Sequence, residues 1–87
     1  HQNYPNPFNP VTNIVYDIPE ASDVRITIYN VAGQKVRTLR HKQHNPGRYR
    51  IMWSGVNDFG QPVSSGMYFY RIMASDFVSV KKLILMK

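Results

Sequence analysis

His41 and His44 are the nearest this chain comes to a metal-ligand pair, three residues apart in the run His41-Lys42-Gln43-His44. Two imidazoles hold zinc only when further Cys, His or carboxylate ligands converge on them. The chain has no cysteine, no acid stands beside the histidines, and the run reads as a connection between strands ahead of a Pro-Gly turn. A metal centre is therefore not expected. The carboxylates Asp17, Glu20, Asp23, Asp58 and Asp76 each fall at a strand end or in a turn, where an acid caps backbone donors. Glycoside hydrolysis needs two carboxylates facing one cleft, and no spacing here pairs them. Asn57-Asp58-Phe59-Gly60 lacks the spaced oxygen ligands and closing Glu of an EF-hand. The serines Ser22, Ser54, Ser64, Ser65, Ser75 and Ser79 have no nucleophile-elbow context. No glycine-rich loop opens a helix to cradle phosphate. No catalytic, cofactor-binding or metal residue is assigned, and no cofactor is expected.

The aromatic side chains offer a different chemistry. Trp53 lies on the alternating face of a strand pattern, which places it in a core. Tyr29 and Phe69 take the opposite parity of their strands. Exposed there, they would stack on a sugar ring or a partner protein. Eleven Lys and Arg against five acids give a net charge of +6, which reads first as a solvated basic surface and, as the alternative, as attraction to an anionic partner such as a membrane surface, an acidic glycan or nucleic acid. The basic residues are scattered over separate segments and not gathered on one recognition element, so nucleic acid is not expected as a partner.

The elements that would position these residues are strands. Ile14, Tyr16 and Ile18 share one face; so do Val24, Ile26 and Ile28, with Arg25, Thr27 and Tyr29 opposite. Tyr49, Ile51 and Trp53 alternate with Arg48, Arg50 and Met52, and Tyr68, Tyr70 and Ile72 with Phe69, Arg71 and Met73. This period of two, in β-branched and aromatic residues, is the strand signature. Turn residues separate the runs: Pro19 to Asp23, Asn30-Val31-Ala32-Gly33-Gln34 with Gly33 at a positive φ, Asn45-Pro46-Gly47, Asn57 to Pro62, Ser64-Ser65-Gly66 and Ser75-Asp76. Two segments break the alternation. Val36 and Leu39 are three apart, so residues 35–40 either bulge or end early. Val78 and Val80 share one parity while Leu83 and Leu85 have the other, with Lys81-Lys82 at the change of phase. Either a bulge brings both apolar pairs inward, or the strand is covered on both faces beyond residue 82. The pattern as a whole is an all-β sandwich or barrel.

At 87 residues this is one domain, near the lower size limit for a self-sufficient core. Its 43% hydrophobic and 13% aromatic content supplies large side chains to fill one. Without cysteine there is no disulfide framework, which favours either an intracellular home or a bacterial exported protein with a sufficient core. The chain starts at His1, with no leader and no apolar run long enough to cross a bilayer, and is expected to be a piece of a longer protein. Tyr4-Pro5-Asn6-Pro7-Phe8-Asn9-Pro10-Val11-Thr12 carries three prolines that fix φ and remove three backbone donors. They push the residues before them toward extended conformations. Residues 1–12 are expected to form a rigid Asn/Pro-rich lead-in anchored by Phe8, and residues 13–87 the folded module.

These residues also match a family pattern. The run Gln2 to Thr12 resembles the opening of C-terminal sorting domains of the type IX (Por) secretion system. The resemblance continues through Val24 to Gln34, Val36 and Leu39, Pro46-Gly47-Arg48-Tyr49 and Trp53-Ser54-Gly55. It closes with Gly60, Val63 to Tyr70 and the end segment 81–87. The pattern is similar, too, to the immunoglobulin-like domain of flagellar hook-capping proteins, although the full opening and the basic end favour the sorting domain. The resemblance implies an all-β, immunoglobulin-like antiparallel sandwich of about seven strands, standing at the end of a larger exported bacterial protein. It implies a non-catalytic address: the parent crosses to the periplasm and its folded end is recognised by an outer-membrane translocon. In many members a sortase-like enzyme then removes the domain and joins the parent to anionic surface lipopolysaccharide. Carried over residue by residue, the signal would centre on Gly66, Tyr68, Lys81, Lys82, Leu83, Leu85 and Lys87. Pro5, Asn6, Pro7, Phe8, Pro10, Gly33, Trp53, Gly55 and Gly60 would be structural, with the lead-in joining the upstream domains. The alternative from another class is an accessory carbohydrate-binding or structural β-sandwich module of a polysaccharide-degrading enzyme, with weak glycan contact through Tyr29 or Phe69.

Overall fold

A computed structural model describes residues 12–86. The expectations for Pro5, Asn6, Pro7, Phe8 and Pro10, and for Lys87, lie outside the described residues. Within them run six strands: β1 (Thr12–Ile18), β2 (Ser22–Tyr29), β3 (Lys35–His44), β4 (Gly47–Trp53), β5 (Gly66–Ala74) and β6 (Phe77–Leu85). An isolated bridge joins Val56 and Pro62. The strands form two antiparallel sheets, β1–β4 and β3–β2–β5–β6.

The core is built from one parity of each strand. Ile14, Tyr16 and Ile18 from β1 and Trp53 from β4 meet Val24, Ile26 and Ile28 from β2. Tyr68, Ile72 and Ala74 from β5 and Leu83 and Leu85 from β6 complete the layer, with Tyr49, Ile51 and Tyr70 half-buried against it. The sequence parities for β1, β2, β4 and β5 thus hold. Each fully buried Ile or Leu contributes roughly 1.5–3 kcal/mol. Trp53 is wholly enclosed, stands edge-to-face with Tyr68 at 5.1 Å between centroids, and donates its indole N–H to the Val56 carbonyl at 2.9 Å.

The two irregular segments resolve differently. In β3 the register against β2 slips twice, so that Leu39 lies between the partners of Ile26 and Thr27, and Val36 between those of Ile28 and Tyr29. The bulges fall on the two apolar residues that break the alternation, and both pack against the core. An extra residue at each point re-aims the next side chain. Past the bulges β3 does not end before His41. It runs to His44, pairing Lys42, Gln43 and His44 with Val24, Asp23 and Ser22. The connection expected over 41–44 is strand, because the start of β2 needs a ladder partner and an edge strand tolerates polar residues. The two histidines then point to opposite faces. His41 meets Asp23 at 3.2 Å in solvent. His44 is 2% exposed, with Nδ1 3.1 Å from the Lys42 carbonyl and Nε2 2.8 Å from the Tyr16 hydroxyl. A carbonyl only accepts, so Nδ1 carries the proton and Nε2 accepts from Tyr16. Arg40 donates to the same hydroxyl at 2.9 Å.

In β6 neither expected solution is found. Its pairing with β5 is unbroken from Phe77 opposite Ala74 to Leu85 opposite Gly66. Leu83 and Leu85 point inward, and Val78 and Val80 point outward, 55% and 58% exposed. Regular pairing along the whole hairpin outweighs the exposure of two valines.

Two loops repeat one structure. Asn30-Val31-Ala32-Gly33-Gln34 and Asn57-Asp58-Phe59-Gly60-Gln61 share the spacing Asn-x-x-Gly-Gln. In each, the Asn side-chain oxygen accepts from the second and fourth following amides. The Gly amide donates to the Asn carbonyl, and the Asn amide to the Gln carbonyl. The Asn amide group donates to the Gln side-chain oxygen. Glycine is required because φ is +82° at Gly33 and +78° at Gly60, a region costly for other residues.

Trp53→Ala is expected to destabilise the domain by about 3–5 kcal/mol, read from urea melts by fluorescence-independent circular dichroism. Asn57→Ala strips the loop of its side-chain bonds and should cost about 1–2 kcal/mol, as for a lost helix cap. Asn30→Ala should cost a similar amount, since it carries the same bonds.

Candidate functional site

The end segment of the chain is positioned by the β5–β6 hairpin, which closes through Ser75-Asp76 with Ser75 at φ +57°. β6 is the edge of its sheet. Gly66 opens β5, exposed, with φ +146°; a Cβ built there meets nothing within 4 Å. The positive φ expected at this position is present, and the space beside it is open. Tyr68 is buried against Trp53 and donates its hydroxyl to the Ser64 carbonyl at 2.6 Å, pinning the segment that enters β5. A shallow depression of about 540 Å³, lined by Asn30, Val36, Val63, Gly66 and Tyr68 among others, lies at this end.

Of the residues expected to carry the signal, Tyr68, Leu83 and Leu85 are in the core. They fix where the hairpin lies. Lys81 and Lys82 are exposed, and as consecutive strand residues they project to opposite faces of the sheet. They form no single patch on one face, but both flank the free edge of β6. Leu85 and Gly66 are cross-strand partners, so the end segment and the glycine meet in space.

The outer face of this hairpin escaped the sequence reading. Met67, Met73, Val78, Val80 and Ile84 are all exposed there. Unbroken alternation through residues 77–85 is the signal that finds them: with Leu83 and Leu85 inside, Val78, Val80 and Ile84 must face out. Arg71 sits in the middle of this face, between Thr27 and Val80 on the neighbouring strands. Its Nη2 donates to the Tyr29 hydroxyl at 2.5 Å, and its Cζ lies 5.0 Å from the Tyr29 ring centroid. Its Nε is buried without a partner. Tyr29 and Phe69, the candidate sugar platform, are half-buried beside this guanidinium. One face of Tyr29 is already occupied, where a sugar ring needs it bare. Together with Val31 and Val80 these residues line a groove of about 320 Å³.

The opposite side of the molecule carries one ion pair among the described residues. On the outer face of β1–β4, Arg48 donates to Asp17 at 2.9 Å. That bond holds the Asp17 carboxyl below its ordinary value of 3.8 and pushes Arg48 up. Asp58 is engaged as well, its carboxylate accepting from the Thr38 amide at 2.9 Å. Among the described residues no group of three or more acids or histidines is placed to hold a metal ion.

Comparison with known proteins follows the same lines. A family model described as "Secretion system C-terminal sorting domain" matches residues 2–86. Among solved structures, the chain is similar to FlgD from P. aeruginosa, with a TM-score of 0.69 at 21% identity, covering 86% of this chain and 59% of that one. It is also similar to dimeric latent PorU from Porphyromonas gingivalis, with a TM-score of 0.68 at 19% identity, covering 97% of this chain and 9% of that one. At such identities the likeness is one of fold, and the chain spans less than two thirds of either protein. No curated protein matches it.

Gly66→Val forces a branched side chain into a backbone region that L-residues avoid, and should cost about 1–3 kcal/mol. Thermal melting checks this; an unchanged midpoint would show that β5 opens equally well with ordinary backbone.

Proposed function

The chain belongs to the family of secretion system C-terminal sorting domains, and from that premise we propose that its β5–β6 hairpin is the surface read by the outer-membrane translocon. The module is a non-catalytic sorting domain of a protein exported by the type IX (Por) route. It acts as an address and does no chemistry of its own. A signal peptide is read as an unfolded apolar segment. A folded address must instead offer a surface, and a sheet edge with fixed side chains does so.

The observation that carries this reading is the division within β6: Leu83 and Leu85 are locked in the core while Lys81 and Lys82 stand exposed along the edge. The leucines make the edge rigid and the lysines mark it. Lysine on an edge also discourages indiscriminate strand pairing, so only a partner that accommodates the charges docks. In this reading Gly66 and Tyr68 set the course of β5 beside the end segment, and Lys87 extends the basic end. The sandwich is immunoglobulin-like, a view supported by the two antiparallel sheets and the likeness in fold to FlgD. Residues 1–12 join the module to the upstream domains of the parent. The parent passes through the periplasm, and at the surface a sortase-like enzyme exchanges this module for anionic lipopolysaccharide.

Deleting residues 83–87 should leave the parent in the periplasm, but this removes two core leucines and unfolds the address as well as erasing it. The sharper variant is Lys81→Ala with Lys82→Ala. Exposed charges contribute at most about 1 kcal/mol, so its melting temperature should hardly move while extracellular parent falls. Cell fractionation together with a melt of the purified domain reads both; normal extracellular yield from this double variant would remove the lysines from the signal.

A further inference from the structure

The outer face of the hairpin holds three observations that belong together. First, it is apolar and open: Val78, Val80 and Ile84 are each more than half exposed, and such contiguous faces mark docking sites. Second, cations predominate on it. Arg25, Arg71 and Lys82 share this face, and no acid occurs between Val24 and Tyr29, Met67 and Met73, or Val78 and Ile84. Asp23, at the start of β2 on the same face of the sheet as Arg25, is engaged by His41 at 3.2 Å, and Asp17 pairs with Arg48 on the other sheet. Third, the Arg71 Nε is buried with no partner, while the other end of the same guanidinium is fixed on Tyr29. A guanidinium held by an aromatic ring and its hydroxyl keeps its planar fork in place for an acceptor.

From these we infer that the outer face of β5–β6 docks an apolar segment of the translocon's receptor protein that carries a carboxylate, which enters the groove lined by Arg71, Phe69 and Val80 and binds the Arg71 guanidinium there while apolar side chains cover Val78, Val80 and Ile84. This rests on the sorting reading and names its chemistry. Phosphate would also suit a guanidinium, but the surrounding valines and methionines call for a partner with apolar side chains beside its charge. That favours an Asp or Glu in a protein segment over a lipopolysaccharide headgroup.

The test uses the full parent protein in cells that export it. Arg71→Gln removes the charge-assisted bond, and Val80→Glu places a carboxylate beside Arg71 that competes from within. Both should lower extracellular parent about tenfold or more, with the melting temperature of the purified domain near that of the parent sequence. A benzophenone amino acid at position 80 should crosslink to an envelope protein within a peptide containing Asp or Glu, and Arg71→Gln should abolish that crosslink. The same probe at Val15, on the opposite sheet, should give no such product. Normal export of both Arg71→Gln and Val80→Glu overturns the inference. So does a crosslink to lipopolysaccharide or to a peptide without an acid. If those two variants export normally while Lys81→Ala with Lys82→Ala stalls, the sorting reading stands and this docking chemistry falls. If neither they nor the lysine pair affect export, this docking chemistry falls and the lysines leave the signal as well.

Discussion

The indole of Trp53 is shut between the two sheets, and its one polar atom is satisfied by the Val56 carbonyl. A buried N–H must find an acceptor, so this bond dictates the path of the chain just after β4. That path carries Asn57 and Asp58 alongside the bulged part of β3. There the Asp58 amide donates to the Val36 carbonyl, the Asp58 carboxylate accepts from Thr38, and Arg37 donates to the Asn57 carbonyl. On its other side Trp53 meets Tyr68, whose hydroxyl pins the Ser64 carbonyl. One side chain thus ties together the core, the irregular strand and the entry to β5.

The β5–β6 hairpin inherits its rigidity from this arrangement. β6 is an edge strand, with ladder bonds on one side only, and a domain of this size has little stability to spare. Leu83 and Leu85 hold it by burial, and Tyr68 holds β5 beside it. The exposed residues between them are therefore displayed at fixed spacing. Removing either leucine would loosen the strand and disturb that spacing.

The two faces of the molecule differ in how their charges are used. Around β1–β4 the Asp17–Arg48 pair neutralises itself in solvent, where such pairs add little to stability. Around β5–β6 the cations lack acids, and Arg71 is braced on Tyr29 with one nitrogen unmet. Arg50 on the first face has no ion pair among the described residues either, so what sets Arg71 apart is its bracing on Tyr29 amid exposed apolar side chains.

The sequence by itself determined most strands and their parity. Alternation in Ile14–Ile18, Val24–Ile28 and Tyr49–Trp53 names the buried residues, because a pleated strand buries every second side chain. The turn residues follow as directly from their backbone needs, and the chain-wide motif points to the sorting family. Tertiary structure decided the rest. Periodicity reports parity but not what covers a face, so it left open whether Val78 and Val80 point in or out. Only the unbroken register against β5 turns them outward. Val36 and Leu39 signalled an irregularity, but two bulges in a continuing strand depend on its pairing with β2. His44 looked like a loop residue because nothing local shows that Tyr16, 28 positions away, would supply its hydrogen bond. Arg71 gave no signal at all: the partner that holds it is Tyr29, 42 residues earlier. Contacts between distant residues follow from register and layer packing, which no local window of sequence contains.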